Sequence, residues 1–242
     1  DLSKNINIEK NPCSSTGRVI WNKNSNGYFY LKKNPKTLIA NTLFFHKLGT
    51  DPKKDRLVYK EKDKEFNLSI SLSRTKKYLF LEISKTESNE TWFLDLDEEN
   101  IHIRCFLKRK NNHLYYIDDT PENFFILSNR DNKKNFALYK TSFNKLTLRN
   151  WIEVVPYNKN ELIEDFLCFK DFIILGIRKN GLSQLVQVSR KSKKKIYIKF
   201  KDEAHTVKLS HNNSYDSKNL SFVYSSLKTP SSIFTQNLYS NK

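Results

Sequence analysis

The sequence predicts an all-β fold, a β-propeller assembled from about five four-stranded blades, and three observations carry that prediction. Short runs rich in Val, Ile, Phe, Tyr and Leu alternate with clusters of Asn, Asp, Lys, Ser and Gly, as strands and turns do. Helical periodicity is almost absent, with only Asn160 to Asp165 compatible with one helical turn. The runs also recur with a period of about 48 residues, the length of one four-stranded propeller blade.

Five apolar runs define the repeat: GYFYLKK from Gly27, YLFLEIS from Tyr78, NFFILSN from Asn123, FIILGIR from Phe172 and LSFVYSS from Leu220. With Tyr28, Leu79, Phe124, Phe172 and Leu220 taken as equivalent, successive intervals are 51, 45, 48 and 48 residues. A second run follows each, at Leu43, Trp92, Ala137, Leu185 and Ile233, offset by 15 residues in the first unit and 13 in the others. Upstream of the apolar run the later units carry two more strands, for example FNLSIS from Phe66 preceded by LVYK from Leu57. The expected blades are therefore 1–50, 51–98, 99–143, 144–191 and 192–242, one partial propeller domain over the whole stretch. The apolar run is hydrophobic at nearly every position, as a strand covered on both faces should be. The run after it alternates more clearly, as in Leu185, Val186, Gln187, Val188 and Ser189, which suits a more peripheral place. A lone blade cannot bury its faces, so several must pack together. The first unit reads as incomplete, and blades are expected upstream. With Asp at position 1 and no Met, the stretch looks like an internal piece of a longer protein.

Composition supports a folded, soluble chain. It is 38% hydrophobic and carries 3 Trp, 12 Tyr and 17 Phe, too many aromatics for a disordered segment. No window approaches the roughly 20 apolar residues of a membrane-spanning helix, so no membrane partner is expected. The 43 basic and 26 acidic residues give a net charge of +17. A nucleic-acid-binding module is one reading of that charge. The lysines are dispersed among Asn, Ile, Tyr and Phe, as in an AT-rich coding sequence, and no nucleic acid is expected.

No self-contained active site is visible. Gly181, Leu182, Ser183, Gln184 and Leu185 come nearest to a G-x-S-x-G elbow, lack the second Gly and read as a hairpin. Cys13, Cys105 and Cys168 are far apart and read as buried small hydrophobes in a reducing compartment. His46, His102, His113, His205 and His211 show no metal-ligand spacing. Asp95, Asp97, Glu98 and Glu99 read as a solvated loop, and Lys53, Lys54 and the run Lys191 to Lys195 as hairpin tips. No catalytic residue, metal or cofactor is expected within the chain.

Phe44 to Phe66 resembles the oligopeptidase B branch of the prolyl oligopeptidase family, matching at His46, Leu48, Gly49, Thr50, Asp55, Val58, Tyr59, Glu61, Asp63 and Phe66. The order continues through Glu90 in SKTESNE, Asn129 and Asn135 in LSNRDNKKNFALY, Trp151 to Pro156, and Ser225, Ser226 and Pro230 in YSSLKTP. The resemblance implies the later five of seven blades of a propeller that caps an α/β-hydrolase domain in a cytoplasmic bacterial serine peptidase. That family cleaves short peptides after Lys or Arg, and the propeller restricts entry of folded substrates. Its triad would lie in a hydrolase domain after Lys242, so the matched positions are expected to be structural or at a domain interface. Phe45 stands where the family commonly has Arg. For such a peptidase the positive charge should lie on outer blade edges, with Glu61, Asp63, Glu82, Asp118 and Asp119 facing the tunnel or the hydrolase domain. The alternative is a free-standing or truncated propeller that binds a partner protein.

Overall fold

A computed structural model describes residues 4–6 and 15–240 and shows an all-β chain of nineteen strands in five antiparallel sheets. The chain forms two compact units, Asp1–His113 and Leu114–Lys242. Among the described residues no helix is long and apolar enough to cross a membrane.

The first unit holds two sheets. Strands β1 (Val19–Trp21), β2 (Gly27–Lys33), β3 (Ala40–Lys47) and β4 (Arg56–Lys60) form one meander; β5 (Asn67–Leu72), β6 (Tyr78–Lys85), β7 (Ser88–Asp95) and β8 (Arg104–Leu107) form the next. The second unit holds β9 (Tyr115–Asp119), β10 (Phe124–Ser128), β11 (Ala137–Thr141) and β12 (Ile152–Val155), followed by β13 (Leu162–Cys168), β14 (Phe172–Lys179), β15 (Leu182–Ser189) and β16 (Lys195–Tyr197). A three-stranded sheet of β17 (His205–Leu209), β18 (Asn219–Ser226) and β19 (Ser232–Asn237) completes it.

The five apolar runs are the second strands and the offset runs are the third strands, as the repeat predicts. β10 is buried at all five positions, and β6, β14 and β18 carry their apolar side chains into cores between neighbouring sheets. Three third-to-fourth strand pairs shift register at equivalent places, Leu43/Phe44, Thr91/Trp92 and Leu138/Tyr139, so the local twist repeats with the sequence.

Three expectations need correction. The short strands headed by LVYK, assigned above to the start of the following unit, pair instead with the preceding third strand, so each sheet begins one strand later than the boundaries 51, 99, 144 and 192. Tight hairpins impose this: Gly49 sits at φ +76° and Asp51 caps the 3-10 turn Pro52–Lys54 that returns the chain as β4. The exposure of β4 and β16 fits an outer edge. Second, the first sheet has four strands and the last has three, the reverse of the incomplete first unit that was expected. Third, Asn160 to Asp165 forms no helical turn; it runs into β13, with a register shift between Ile163 and Asp165. Cys13 lies outside the described residues.

An antiparallel meander of four strands enters and leaves at the same end. In each such sheet this connection end also carries the turn between the second and third strands. The other two hairpins lie at the opposite, hairpin end.

Candidate functional site

The positions singled out in the sequence separate into two groups. His46, near the end of β3, and Asp55, just before β4, face each other across the β3–β4 hairpin at the hairpin end of the first sheet. His46 Nδ1 lies 2.7 Å from Asp55 Oδ1, and the Tyr30 hydroxyl donates to Asp55 Oδ2 at 2.6 Å. The pair has the look of a base and its orienting carboxylate, but the two side chains are 0% and 1% exposed and the imidazole packs on Tyr28. No substrate reaches it, so it acts as a buried cross-link. Gly49 and Thr50 shape the same hairpin, Thr50 Oγ1 donating to the Lys47 carbonyl at 2.7 Å. Phe45, the departure from the family pattern, stacks on Phe29 at 4.9 Å and covers Gly27. A Cβ at Gly27 would meet a Phe45 ring atom and the His46 carbonyl at 2.5 Å.

The second group gathers at a connection end. Glu61 follows β4 and is 5% exposed. It accepts from the backbone N–H of Lys62 and of Asp63 at 2.8 Å each, from the Tyr59 hydroxyl at 3.2 Å and from Arg109 Nη2 at 3.0 Å. Arg109 lies just past β8, so this ion pair ties the connection leaving the first sheet to the outer edge of the second. Glu90 on β7 accepts from the Arg109 backbone N–H at 2.9 Å and from Trp92 Nε1 at 2.6 Å. The Arg109 guanidinium stacks over Phe66, 4.1 Å from its centroid, and Tyr59 lies against Trp92 at 5.4 Å. Burial first, then the Glu61 and Glu90 carboxylates, push the Tyr59 phenol well above its ordinary range. The nearby Cys105 thiol is pushed up to about 11, chiefly by burial and then by Glu90, so it stays protonated and unreactive.

The device recurs at the other connections within a unit. Glu161, in the connection leading into β13, accepts from Lys179 Nζ at 2.9 Å and from the Tyr197 hydroxyl. Burial pushes its carboxyl up, yet Tyr197 and Lys179 outweigh it and hold the carboxyl below the usual range. Asp202, in the connection leading into β17, accepts from Ser226 Oγ at 2.7 Å and from the Tyr224 hydroxyl at 2.9 Å. Ser226 then lowers its carboxyl most, followed by Tyr224. In each case a carboxylate between sheets is caught by the sheet that follows, a clasp at the connection end.

The remaining predicted positions are local. Asp63 Oδ1 accepts from the Glu65 N–H at 3.0 Å. Asn129 Oδ1 accepts from the Leu114 N–H at 2.8 Å, extending the pairing of β9 with β10. Asn135 Nδ2 donates to the carbonyls of Asn158 at 3.1 Å and Lys159 at 2.9 Å, joining the third sheet to the next connection. Ser225 pairs with Thr206 in the ladder, and the Pro230 carbonyl accepts from Ser232 Oγ at 2.9 Å.

The five acidic candidates form no single cluster. Glu61 and Asp63 lie at a connection end. Glu82 is half-buried mid-strand on β6, where burial pushes its carboxyl up. Asp118 and Asp119 end β9 at a hairpin end. The charge of the edge strands is uneven, the first strands β1 and β5 carrying none. Fourth strands carry Arg56, Lys60, Arg104 and Lys195, with Glu153 as the exception; first strands carry Asp118, Asp119, Glu164 and Asp165, with Lys208 as the exception.

Sequence reasoning missed Arg109, Trp92 and Asp202. Arg109 stands in a Lys-Arg-Lys run that reads as a solvated face, and only the register of β7 and β8 brings it beside Glu90. Ser183, from the G-x-S-like stretch, is buried in β15 and accepts from the Val207 N–H at 2.8 Å. Among the described residues no group of three or more His, Cys, Asp or Glu converges on a metal position.

The family described as the prolyl oligopeptidase N-terminal beta-propeller domain matches residues 8–242. Protease 2 of Moraxella lacunata is 30% identical over 196 residues, covering 81% of this chain and 28% of that protein. Dipeptidyl aminopeptidase BI of Pseudoxanthomonas mexicana is 26% identical over 219 residues, 90% of this chain and 30% of that protein. Among solved structures, oligopeptidase B from Trypanosoma brucei with covalently bound antipain superposes with a TM-score of 0.86 at 22% identity, over 94% of this chain and 33% of that one. Prolyl oligopeptidase B from Galerina marginata, bound to a 35mer hydrolysis and macrocyclization substrate, superposes at 0.73 with 18% identity over 93% and 32%. The chain thus spans about a third or less of the length of these relatives. With the family match running through all five sheets, the chain belongs to the prolyl oligopeptidase family, within its N-terminal β-propeller domain.

Proposed function

We propose that this chain is the non-catalytic propeller portion of an oligopeptidase-B-like serine peptidase, gating the access of short peptides to a hydrolase domain that follows it in the parent protein and cleaves after Lys or Arg. The observation that carries the reading is the uneven charge of the edge strands. With first strands toward the channel, Asp118 and Asp165 contribute negative charge to a path for cationic peptides, Asp119 being buried and Glu164 paired with Arg178, while three of the five sheets carry a basic fourth strand. Each four-stranded sheet is entered and left at its connection end, where the clasps stiffen the surface, and that is the face we assign to a second domain, although the three-stranded last sheet carries the chain to the hairpin end at Tyr239. The family positions are accordingly structural, and the reaction is supplied by residues outside this chain. The same reading places the parent in the bacterial cytoplasm.

The test is to assay the parent protein, the 242-residue chain alone, and a hydrolase domain expressed without it, on short peptides with Lys or Arg before the scissile bond and on a folded protein rich in both. The parent should cut the peptides and spare the folded protein, and the isolated chain should cut neither. Hydrolysis by the isolated chain, or a parent that prefers cleavage after uncharged residues, would overturn the proposal.

A further inference from the structure

A cleft at the hairpin ends of the third and fourth sheets belongs to none of the clasps. It encloses about 600 Å³ over a floor that includes Phe125, Val154 and Ile173, and its rim is basic. Two carboxylates line it and both are engaged: Glu122 accepts from Arg190 Nη2 at 3.1 Å, and Asp171 accepts from the Tyr239 hydroxyl. Arg190 is committed as well, donating through Nη1 to the carbonyl of Lys170 at 2.9 Å and to the Tyr215 hydroxyl. Lys140, Lys170, Lys191 and Lys193 are different. Among the described residues none of their ammonium groups has a carboxylate, a hydrogen-bond acceptor or an aromatic ring as partner, yet all four line the one cleft.

Lysine-rich composition alone does not produce this. The first unit has a cleft at the same place between its two sheets, about 340 Å³ in volume, and it is lined by Asp95, Asp97, Glu98 and Glu99. There Lys23 is paired with Asp97 at 2.8 Å. With Glu122 offset by Arg190, four unpaired ammonium groups outweigh the single Asp171 carboxylate and focus a positive potential into the concavity, a cost that a bound anion removes.

We propose that the cleft of the second unit binds a compact polyanion of the phosphate type, such as an oligophosphate or a phosphorylated small molecule. Its volume falls within the range of about 300–1,000 Å³ typical of small-ligand sites. It crosses hairpin tips rather than following a sheet edge, so a peptide backbone finds no strand there to extend. Ammonium ions on flexible stems act as point charges, which suits the tetrahedral charge of a phosphate better than the planar fork of a carboxylate.

Titration calorimetry of the 242-residue chain with sodium tripolyphosphate at constant ionic strength tests this. The variant Lys170→Gln/Lys191→Gln/Lys193→Gln should raise Kd by about tenfold or more, while Lys53→Gln/Lys54→Gln/Lys60→Gln, which removes the same charge elsewhere, should leave it within about twofold. The exposed single substitutions Lys191→Gln and Lys191→Glu keep the test usable if the triple variant folds poorly, and the reversal should weaken binding more than the neutralisation. Absence of binding to the unmodified chain, or equal weakening by both triple variants, overturns the site. Equal affinity for an oligoglutamate of the same charge overturns the phosphate assignment.

Discussion

The Glu61 and Asp202 carboxylates occupy the same place in the repeat and are held in contrasting ways. Glu61 is buried among Tyr59 and the Arg109 that stacks on Phe66, and it accepts from two backbone amides, a phenol and the Arg109 guanidinium, while the backbone N–H of Arg109 serves a second buried carboxylate, Glu90. Asp202 is half-buried and accepts from the Tyr224 and Ser226 hydroxyls. The worth of a clasp lies in what its removal strands in a low-dielectric place.

Removing Arg109 has the largest expected effect. Arg109→Leu leaves Glu61 buried without its cation, while Glu90 keeps the backbone N–H of position 109, and should cost about 3–5 kcal/mol in urea denaturation. A cost below about 1 kcal/mol would erase the distinction between the two clasps. Trp92→Phe keeps a ring against Tyr59 but deletes the indole donor to Glu90, and should cost about 1.5–3 kcal/mol, the range for a hydrogen bond to a charged group.

Glu161 lies between the two extremes and adds a pH signature. Its folded carboxyl lies below the ordinary value of 4.5, so the ionised form stabilises fully above that pH, and the contribution fades as pH falls through the folded value. Glu161→Gln should therefore be less stable than the unmodified chain by about 1–2 kcal/mol at neutral pH, with the gap closing below about pH 4.5. A gap that stays constant into acid would contradict the ion pair with Lys179. Ser226→Ala should give the smallest effect, about 0.5–1 kcal/mol, because the Asp202 carboxylate keeps Tyr224 and water as partners.

Much of the fold was legible in the sequence, and the part that was not has a physical reason. Second and third strands announce themselves because one is apolar throughout and the other follows at a nearly constant 13 residues. Fourth strands such as β4 and β16 are short and exposed, so hydropathy does not say which neighbour they join; the turns at Gly49 and Asp51 decide it. The clasps were less legible still. Glu61 lies six residues before β5, Glu161 one before β13 and Asp202 three before β17, so they share a place in space without sharing an offset in sequence. Their partners differ as well, a guanidinium, an ammonium with a phenol, and two hydroxyls. Glu61 and Glu90 were visible only through the family resemblance, which marked them without saying that Arg109 joins them.

The most direct measurement is a double-mutant cycle at Glu61 and Arg109 in urea denaturation, using Glu61→Gln, Arg109→Gln and the pair, beside a matching cycle of Asp202→Asn with Ser226→Ala. A coupling of about 2 kcal/mol at the first pair and under about 0.5 kcal/mol at the second is the predicted result. Equal couplings at the two pairs would contradict the claim that burial sets the strength of these clasps.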